Sequence, residues 1–300
     1  MIPKDLAYSY LKDLKRDVKI VVYKSRDMLK FAEELKNLSD KISIEFHDYV
    51  EPKLNIPAIS VRNVFFHFIP IHELELFLQT IKYINLKHRY DYKCDVLTFV
   101  SRFCPNCKIT VDSINRIAME SKIEHHIVDV SENSEFIDKF NIVSVPTTII
   151  NDFRITGAIN VDEARKWIEL SVSKDYSEYF VDRLTKGELD VVKEVVLANP
   201  KLSKVLAELI AHRDFIVRLG AMAALEYLQK IYPHATKFAK DVVISLLNHD
   251  DSRIRQDAAM MLGIIGDSED IPLLKKFESD EDIGDAVKES IKAIRRREDG

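Results

Sequence analysis

Glycine is scarce in this chain, with seven residues in 300. That leaves no GxGxxG loop, so the sequence carries no fingerprint for the phosphates of FAD or NAD(P). No apolar run approaches the roughly 18 residues that would cross a bilayer. The first residues, Met1-Ile2-Pro3-Lys4-Asp5-Leu6, lack a basic stretch followed by an apolar core. The expectation is a cytoplasmic protein with no membrane partner. A net charge of −5 gives no reason to expect nucleic acid as the main partner either. Glutamine is confined to Gln79, Gln229 and Gln256 while lysine, glutamate and isoleucine abound, a mild leaning toward heat-adapted composition. The cysteines are Cys94, Cys104 and Cys107. One close pair and a single do not make a disulfide framework; in a reducing compartment they point to a reactive dithiol.

What is present is an ordinary globular composition, 46% hydrophobic and 31% charged, with length for two to three domains. The most informative stretch is Cys104-Pro105-Asn106-Cys107, which ends an apolar run and opens an amphipathic helix. Two thiols three residues apart on a helix's first turn can close a short disulfide loop. The positive end of the helix dipole and its unpaired N–H groups favour thiolate over thiol at the first sulfur. Thiolate is the attacking species in thiol–disulfide exchange, so strand–CxxC–helix reads as a redox device.

Periodicity divides the chain into three blocks, predicted as domains over 1–90, 91–174 and 175–300. In the first, a helix over Asp5–Asp17 leads to a strand Val18–Tyr23, a helix Met28–Leu38 and a strand Ile42–His47. Asn55–Val61, Val64–Phe68 and a helix from about Ile71 to Ile84 follow. The second block repeats this order: strand Val96–Ser101, helix Cys107–Ser121, strand His125–Val130, then Asn141–Ile150, Phe153–Ile155 and a helix Val161–Val172. Asp17-Val18 aligns with Asp95-Val96 at an offset of 78, and Pro57 with Pro146 at 89. The second copy thus carries about eleven extra residues between helix and proline. The cysteine positions fall on Arg26 and Leu29 in the first copy, which therefore lacks thiol chemistry.

The third block has helical period and almost no strand signal. Asp214–Ala221 aligns with Asp251–Ala258 at an offset of 37, continuing through Leu225/Leu262 and Leu228/Ile265. Ile283, Val287, Ile291 and Ile294 repeat the spacing 29 residues further on. Helical pairs at such periods stack into a superhelix, and the polar tail 295–300 suits an end cap.

Strand, CxxC, helix, strand, Val145-Pro146, strand, strand, helix is the thioredoxin order. The second block resembles a thioredoxin/glutaredoxin fold. The two blocks together, over about 12–172, resemble tandem thioredoxin-fold protein disulfide oxidoreductases. They are equally similar to the N-terminal dithiol module of the alkyl hydroperoxide reductase flavoprotein subunit, whose first fold also lacks cysteines and whose second keeps C-x-N-C. Leu38–Ser43 and Ile71-His72-Glu73-Leu74 look like stretches of that first fold. The third block is similar to HEAT repeats. The fold class is thus a duplicated α/β thioredoxin-like fold, the first copy without CxxC, followed by an all-α HEAT-like array.

The resemblance implies Cys104 as nucleophile and Cys107 as resolving thiol. It implies a cis Pro146 beside them, with the Val145 backbone pairing to a bound substrate strand. Glu73 falls where that reductase module has an acidic residue reaching toward the dithiol; the residue pattern alone also fits a solvated glutamate at a helix start. The sequence departs from thioredoxins at Thr98, often a buried Asp there, at Phe103 for the usual Trp, and at Pro105-Asn106 for Gly-Pro. The implied activity is thiol–disulfide oxidoreductase or dithiol electron carrier, with no cofactor beyond the Cys104–Cys107 disulfide. Implied partners are disulfide-bearing proteins or a peroxiredoxin, and a thioredoxin-reductase-like flavoprotein as donor. Alternatives are an adaptor or redox sensor whose helical array carries the main function, and a glutathione-dependent glutaredoxin or cluster carrier. No metal site is expected: no second CxxC or spaced His pair completes one, and His125 and His126 point to opposite faces of a strand. Cys94 reads as a packed thiol, Pro57 as a relic of the fold, and Arg218 and Arg255 as bridges between repeats.

Overall fold

The computed structural model describes residues 2–71 and 73–298. His72, within the Ile71–Leu74 stretch, and the last two residues of the polar tail lie outside the described residues. The chain forms two compact units, Met1–Lys174 and Asp175–Gly300. Among the described residues, no helix is long and apolar enough to cross a membrane.

The first unit is built on one eight-stranded sheet. Its elements in chain order are α1 (Lys4–Leu11), β1 (Val18–Tyr23), α2 (Arg26–Lys36), β2 (Ile42–His47), β3 (Ala58–Val61), β4 (Val64–Phe66) and α3 (Leu74–Lys82). Then come β5 (Asp95–Val100), α4 (Cys107–Met119), β6 (Glu124–Asp129), α5 (Glu135–Lys139), β7 (Thr147–Ile150), β8 (Phe153–Thr156) and α6 (Val161–Ser173). The sheet order is β2-β1-β3-β4-β6-β5-β7-β8. Each half therefore repeats one pattern: β1 is parallel to β2 and antiparallel to β3, as β5 is parallel to β6 and antiparallel to β7.

The halves join where β4 runs parallel to β6, Val64 to Phe66 matching His125 to Ile127. This seam was not visible in the sequence. Strand β4 has Val64 and Phe66 fully buried, the mark of an interior strand rather than an edge. The spare eleven residues of the second half contain α5, whose Phe136 packs with Phe99, Val128 and Ile142. Local chemistry sets the helix starts. Ser25 Oγ accepts Met28 N–H at 3.2 Å to cap α2, and Asn160 with Glu163 forms a capping box on α6. The first helix is shorter than periodicity implied, ending at Leu11, with Leu14 folded back through a turn to Leu11.

The second unit is all helical: α7 (Tyr176–Thr185), α8 (Leu189–Ala198), α9 (Ser203–Leu209), α10 (Phe215–Ile231), α11 (Pro233–Leu246), α12 (Ser252–Ile265), α13 (Ile271–Leu274) and α14 (Gly284–Glu298). The 37-residue period recurs in the helix caps and in the carbonyl that each repeat arginine reaches. Asp214 caps α10 through Ile216 N–H at 2.8 Å, and Asp251 caps α12 through Arg253 N–H at 2.9 Å. Arg218 reaches His212 O and Asp257, and Arg255 reaches His249 O and Asp282. Each arginine thus ties its own turn to the next repeat. The apolar series Leu225, Leu228, Leu262, Ile265, Ile283, Val287, Ile291 and Ile294 is buried throughout.

Candidate functional site

The dithiol stands at the end of β5, in the turn that opens α4. Cys104 and Cys107 are joined in a disulfide, with their Cα atoms 5.5 Å apart. Only Cys107 lies on the helix, as its first residue; Cys104 sits in the preceding turn, where its N–H bonds Ser101 O at 3.0 Å. The helix starts at Cys107, as its period implies, so its first turn holds one thiol rather than both; Pro105 keeps Cys104 outside, because the residue before a proline is disfavoured in α conformation. The two sulfurs differ in access: Cys104 is half-buried, whereas Cys107 is 4% exposed.

The Val145–Pro146 peptide bond is cis. Cys104 Sγ lies 3.6 Å from Val145 O, so the loop before β7 faces the outer sulfur. Two apolar side chains stand out of the surface here. Phe103, beside Cys104 in sequence, is 83% exposed, and Val143, two residues before Val145, is 90% exposed. Exposed apolar groups next to an accessible sulfur are what a docking protein segment would cover.

Behind Cys107 is a small cavity of about 20 Å³, lined in part by Glu73, Cys107, Lys108 and Asp129. Glu73 comes from the first half of the unit, just before α3, and its Oε2 lies 3.4 Å from Lys108 Nζ. The structure therefore brings Cys104, Cys107, Val145, Pro146 and Glu73 to one place. Glu73 is not a freely solvated side chain.

Linking β5, α4, β6, β7 and α3 is a buried polar network that sequence reasoning missed. Thr98 Oγ1 is 2.8 Å from His125 Nε2 and 3.3 Å from Thr148 Oγ1. His125 Nδ1 is 2.6 Å from Asn115 Oδ1, and Asn115 Nδ2 donates to Thr80 Oγ1 at 2.8 Å. Full burial pushes His125 down to about 3, so the ring is neutral. The signal was there, in a Thr, an Asn and a His on otherwise apolar faces, but no spacing rule joins them.

His126 points the other way, stacked on Phe65 with ring centroids 4.5 Å apart. Its Nδ1 lies 3.0 Å from His67 Nε2. Burial pushes His67 down to about 4 and His126 to about 2. Cys94 is a packed thiol: burial, with Asp95 beside it, pushes it up to about 12, so it stays protonated at neutral pH.

Residues 94–169 match the thioredoxin domain family, and residues 202–295 match HEAT repeats. The chain thus joins a thioredoxin domain to a HEAT-like helical region. None of the curated proteins matches the chain. Among solved structures, it is similar to the NTD_N/C domain of alkylhydroperoxide reductase AhpF from Enterococcus faecalis. Identity there is 19% over 56% of this chain and 100% of that one, with a TM-score of 0.49. A protein disulfide oxidoreductase from Aeropyrum pernix is 15% identical over 57% of this chain and 92% of its own, with a TM-score of 0.46. Sso1120 from Sulfolobus solfataricus is 24% identical over 50% and 95%, with a TM-score of 0.40.

Proposed function

We propose that the protein is a thiol–disulfide oxidoreductase, a carrier of two electrons on Cys104 and Cys107. The observation that carries this reading is the pairing of an accessible Cys104 with a buried Cys107, under the carbonyl that precedes cis Pro146. In the reduced protein, Cys104 thiolate attacks one sulfur of a substrate disulfide. The S–S bond breaks, a mixed disulfide forms, and the leaving thiolate takes a proton. Cys107, deprotonated, then attacks Cys104 Sγ, which restores the Cys104–Cys107 disulfide and releases the second substrate thiol. The substrate gains two electrons and two protons. Regeneration needs two electrons from outside the chain, which holds no dinucleotide loop of its own; a thioredoxin-reductase-like flavoprotein is the donor class. Substrates are disulfide-bearing proteins or a peroxiredoxin.

Glu73 is the proton acceptor for Cys107 in this scheme. A cavity of about 20 Å³ has room for one water, whose minimum is roughly 10–15 Å³. That water would join the Glu73 carboxylate to the buried thiol. The Val145 carbonyl and Pro146 hold the substrate strand. The test is insulin-disulfide reduction by wild type and Cys104→Ser; equal rates exclude the mechanism. Glu73→Gln should slow the attack of Cys107 on the mixed disulfide more than the first attack by Cys104, so that the mixed disulfide accumulates; equal slowing of both steps contradicts the role.

A second reading, partner capture by the helical unit, has its own support. Along α10, Phe215, Leu219, Tyr227 and Ile231 stand exposed. Apolar side chains in a row on a repeat surface suit a protein partner. The two readings combine if this surface selects substrates for the dithiol. Leu219→Glu with Ile231→Glu in the full chain should abolish partner pull-down and leave insulin reduction intact. Unchanged capture removes the adaptor role.

A further inference from the structure

The seam between the two halves holds three side chains that neither the dithiol nor the polar network uses. Glu51 lies on the segment between β2 and β3, His67 follows β4, and His126 is on β6; all three are at most 4% exposed. Their donor atoms converge. His67 Nε2 is 3.0 Å from His126 Nδ1, His126 Nδ1 is 3.8 Å from Glu51 Oε2, and all three lie within 4.8 Å of one another.

We propose that Glu51 Oε2, His67 Nε2 and His126 Nδ1 bind a divalent transition-metal ion, Zn²⁺ by their chemistry, which pins the two halves of the sheet together.

Four observations carry it. First, ligands held tetrahedrally at ~2.0–2.1 Å stand roughly 3.3–3.4 Å apart, and the measured separations bracket that. Second, His67 is already oriented as a ligand. Its Nδ1 sits 3.1 Å from Pro57 O, so Nδ1–H donates to that carbonyl and Nε2 presents a bare lone pair to the cluster. Third, the carboxylate is buried without a cation. Glu51 Oε1 and Oε2 accept the Lys53 and Leu54 N–H groups at 2.8 and 2.9 Å. The Lys53 ammonium goes instead to Asp95 at 2.6 Å and Glu124 at 3.4 Å. Among the described residues, the only basic side chain within ion-pair distance of Glu51 is His126. A buried charge needs a partner, and a divalent ion is one. Fourth, His126 Nε2 lacks a partner in either tautomer, so no bond at Nε2 fixes which ring nitrogen carries the proton. If Nδ1 carries the proton, Nε2 is a buried lone pair with no partner; if Nε2 carries it, two lone pairs face each other at 3.0 Å. A cation between the facing nitrogens removes the second conflict, and binding needs only a shift of the ring proton, with no net release.

Two imidazoles and a carboxylate suit zinc better than magnesium or calcium, which prefer all-oxygen sites. A cavity of about 360 Å³, bordered by Lys53, Leu54 and Leu97, reaches His126 of the cluster. The ion would reinforce a seam that pairs over only three residues, Val64–Phe66 against His125–Ile127.

The test uses the full chain, stripped with chelator and fully oxidised so that Cys104 and Cys107 stay in their disulfide and cannot compete for metal. This makes the outcome independent of the redox reading. Titration with Zn²⁺ should show one saturable site and a rise in melting temperature with zinc concentration. Co²⁺ should give visible d–d absorption of tetrahedral strength. Glu51→Gln and His67→Gln should each weaken binding more than about 100-fold, beyond the 10–100-fold typical for losing a group behind the ligands. His249→Gln in the helical unit should change nothing. Should the variants fail to fold, imidazole ¹⁵N shifts of the wild type decide: zinc must move His67 Nε2 and His126 Nδ1. Absence of a one-to-one site, binding retained in both variants, or zinc shifts on other histidines overturns the proposal.

Discussion

Replacing Phe99 by alanine tests whether the two halves of the first unit form one cooperative structure with the dithiol resting on it. Phe99 is fully buried on β5, five residues before Cys104 and in register with Thr147, the residue after Pro146. Its ring lies 5.1 Å from that of Phe140 and 6.4 Å from that of Phe136. Truncation removes those contacts and leaves a cavity on the α5 side of the sheet, beside Val145 of the loop before β7. Buried Phe→Ala changes cost about 3–5 kcal/mol. That is a large part of the roughly 5–15 kcal/mol that holds a domain folded. For a unit of this size, each kcal/mol lowers Tm by about 2–4 °C, so the first unit's transition should fall by ~6–20 °C. Calorimetry on the full chain reads this directly, and the transition of the helical unit serves as an internal reference. Hydrogen exchange adds the decisive detail. Amides of β1 and β3 should lose protection together with those of β5 and β7, because β4–β6 pairing makes one sheet. A fall of less than about 3 °C, or lost protection confined to the second half, would refute the reasoning.

Three further outcomes follow from particular atoms. A Cβ added at Gly263 on α12 would lie 2.8 Å from Ser290 Oγ and 2.9 Å from Ser290 Cα on α14. Gly263→Ala should therefore destabilise the helical unit by about 1–3 kcal/mol, read by denaturant midpoint, and leave the first unit's melt unchanged. Burial, opposed by a bond to Gln79 and reinforced by Asp112, pushes the half-buried Tyr83 hydroxyl up to about 12. The folded state then holds a proton that the unfolded chain has lost, so stability declines as pH rises from about 10 toward 12. In Tyr83→Phe that decline should be shallower, and the late-ionising absorbance at 295 nm should shrink by one tyrosine, leaving that of Tyr92, which is also pushed up to about 12; an unchanged titration contradicts the assignment. Phe103→Ser and Val143→Ser should raise KM for a protein disulfide several-fold while sparing kcat for a small disulfide. Equal KM values would mean that these exposed side chains do not meet the substrate.

Much of the fold was legible because its signals are local. Strands Val18–Tyr23 and Ile42–His47 announce themselves by β-branched content, and they sit in the structure with the bounds the sequence implied. The repeat arginines Arg218 and Arg255 were readable from their period and do bridge to Asp257 and Asp282. What stayed hidden is non-local. Nothing in Val64-Phe65-Phe66 names His125–Ile127 as its partner, so the continuous sheet and the buried trio of Glu51, His67 and His126 were out of reach. Adjacent His125 and His126 were rightly placed on opposite faces, yet the residues each would meet, Thr98 and Asn115 on one side and His67 on the other, lie 10 to 59 positions away. Helix α5 was missed because five residues are too short to show a period.

The central proposal is that Cys104 is the accessible, attacking sulfur and Cys107 a sheltered one. Iodoacetamide alkylation of the reduced full chain near pH 7, with the modified residue mapped by mass, tests it most directly. An ordinary thiol with pKa ≈ 8.5 is only a few per cent thiolate there, so an activated Cys104 should react several-fold faster than a free thiol reference and well ahead of Cys107. Reaction at the reference rate, or first at Cys107, would contradict the account.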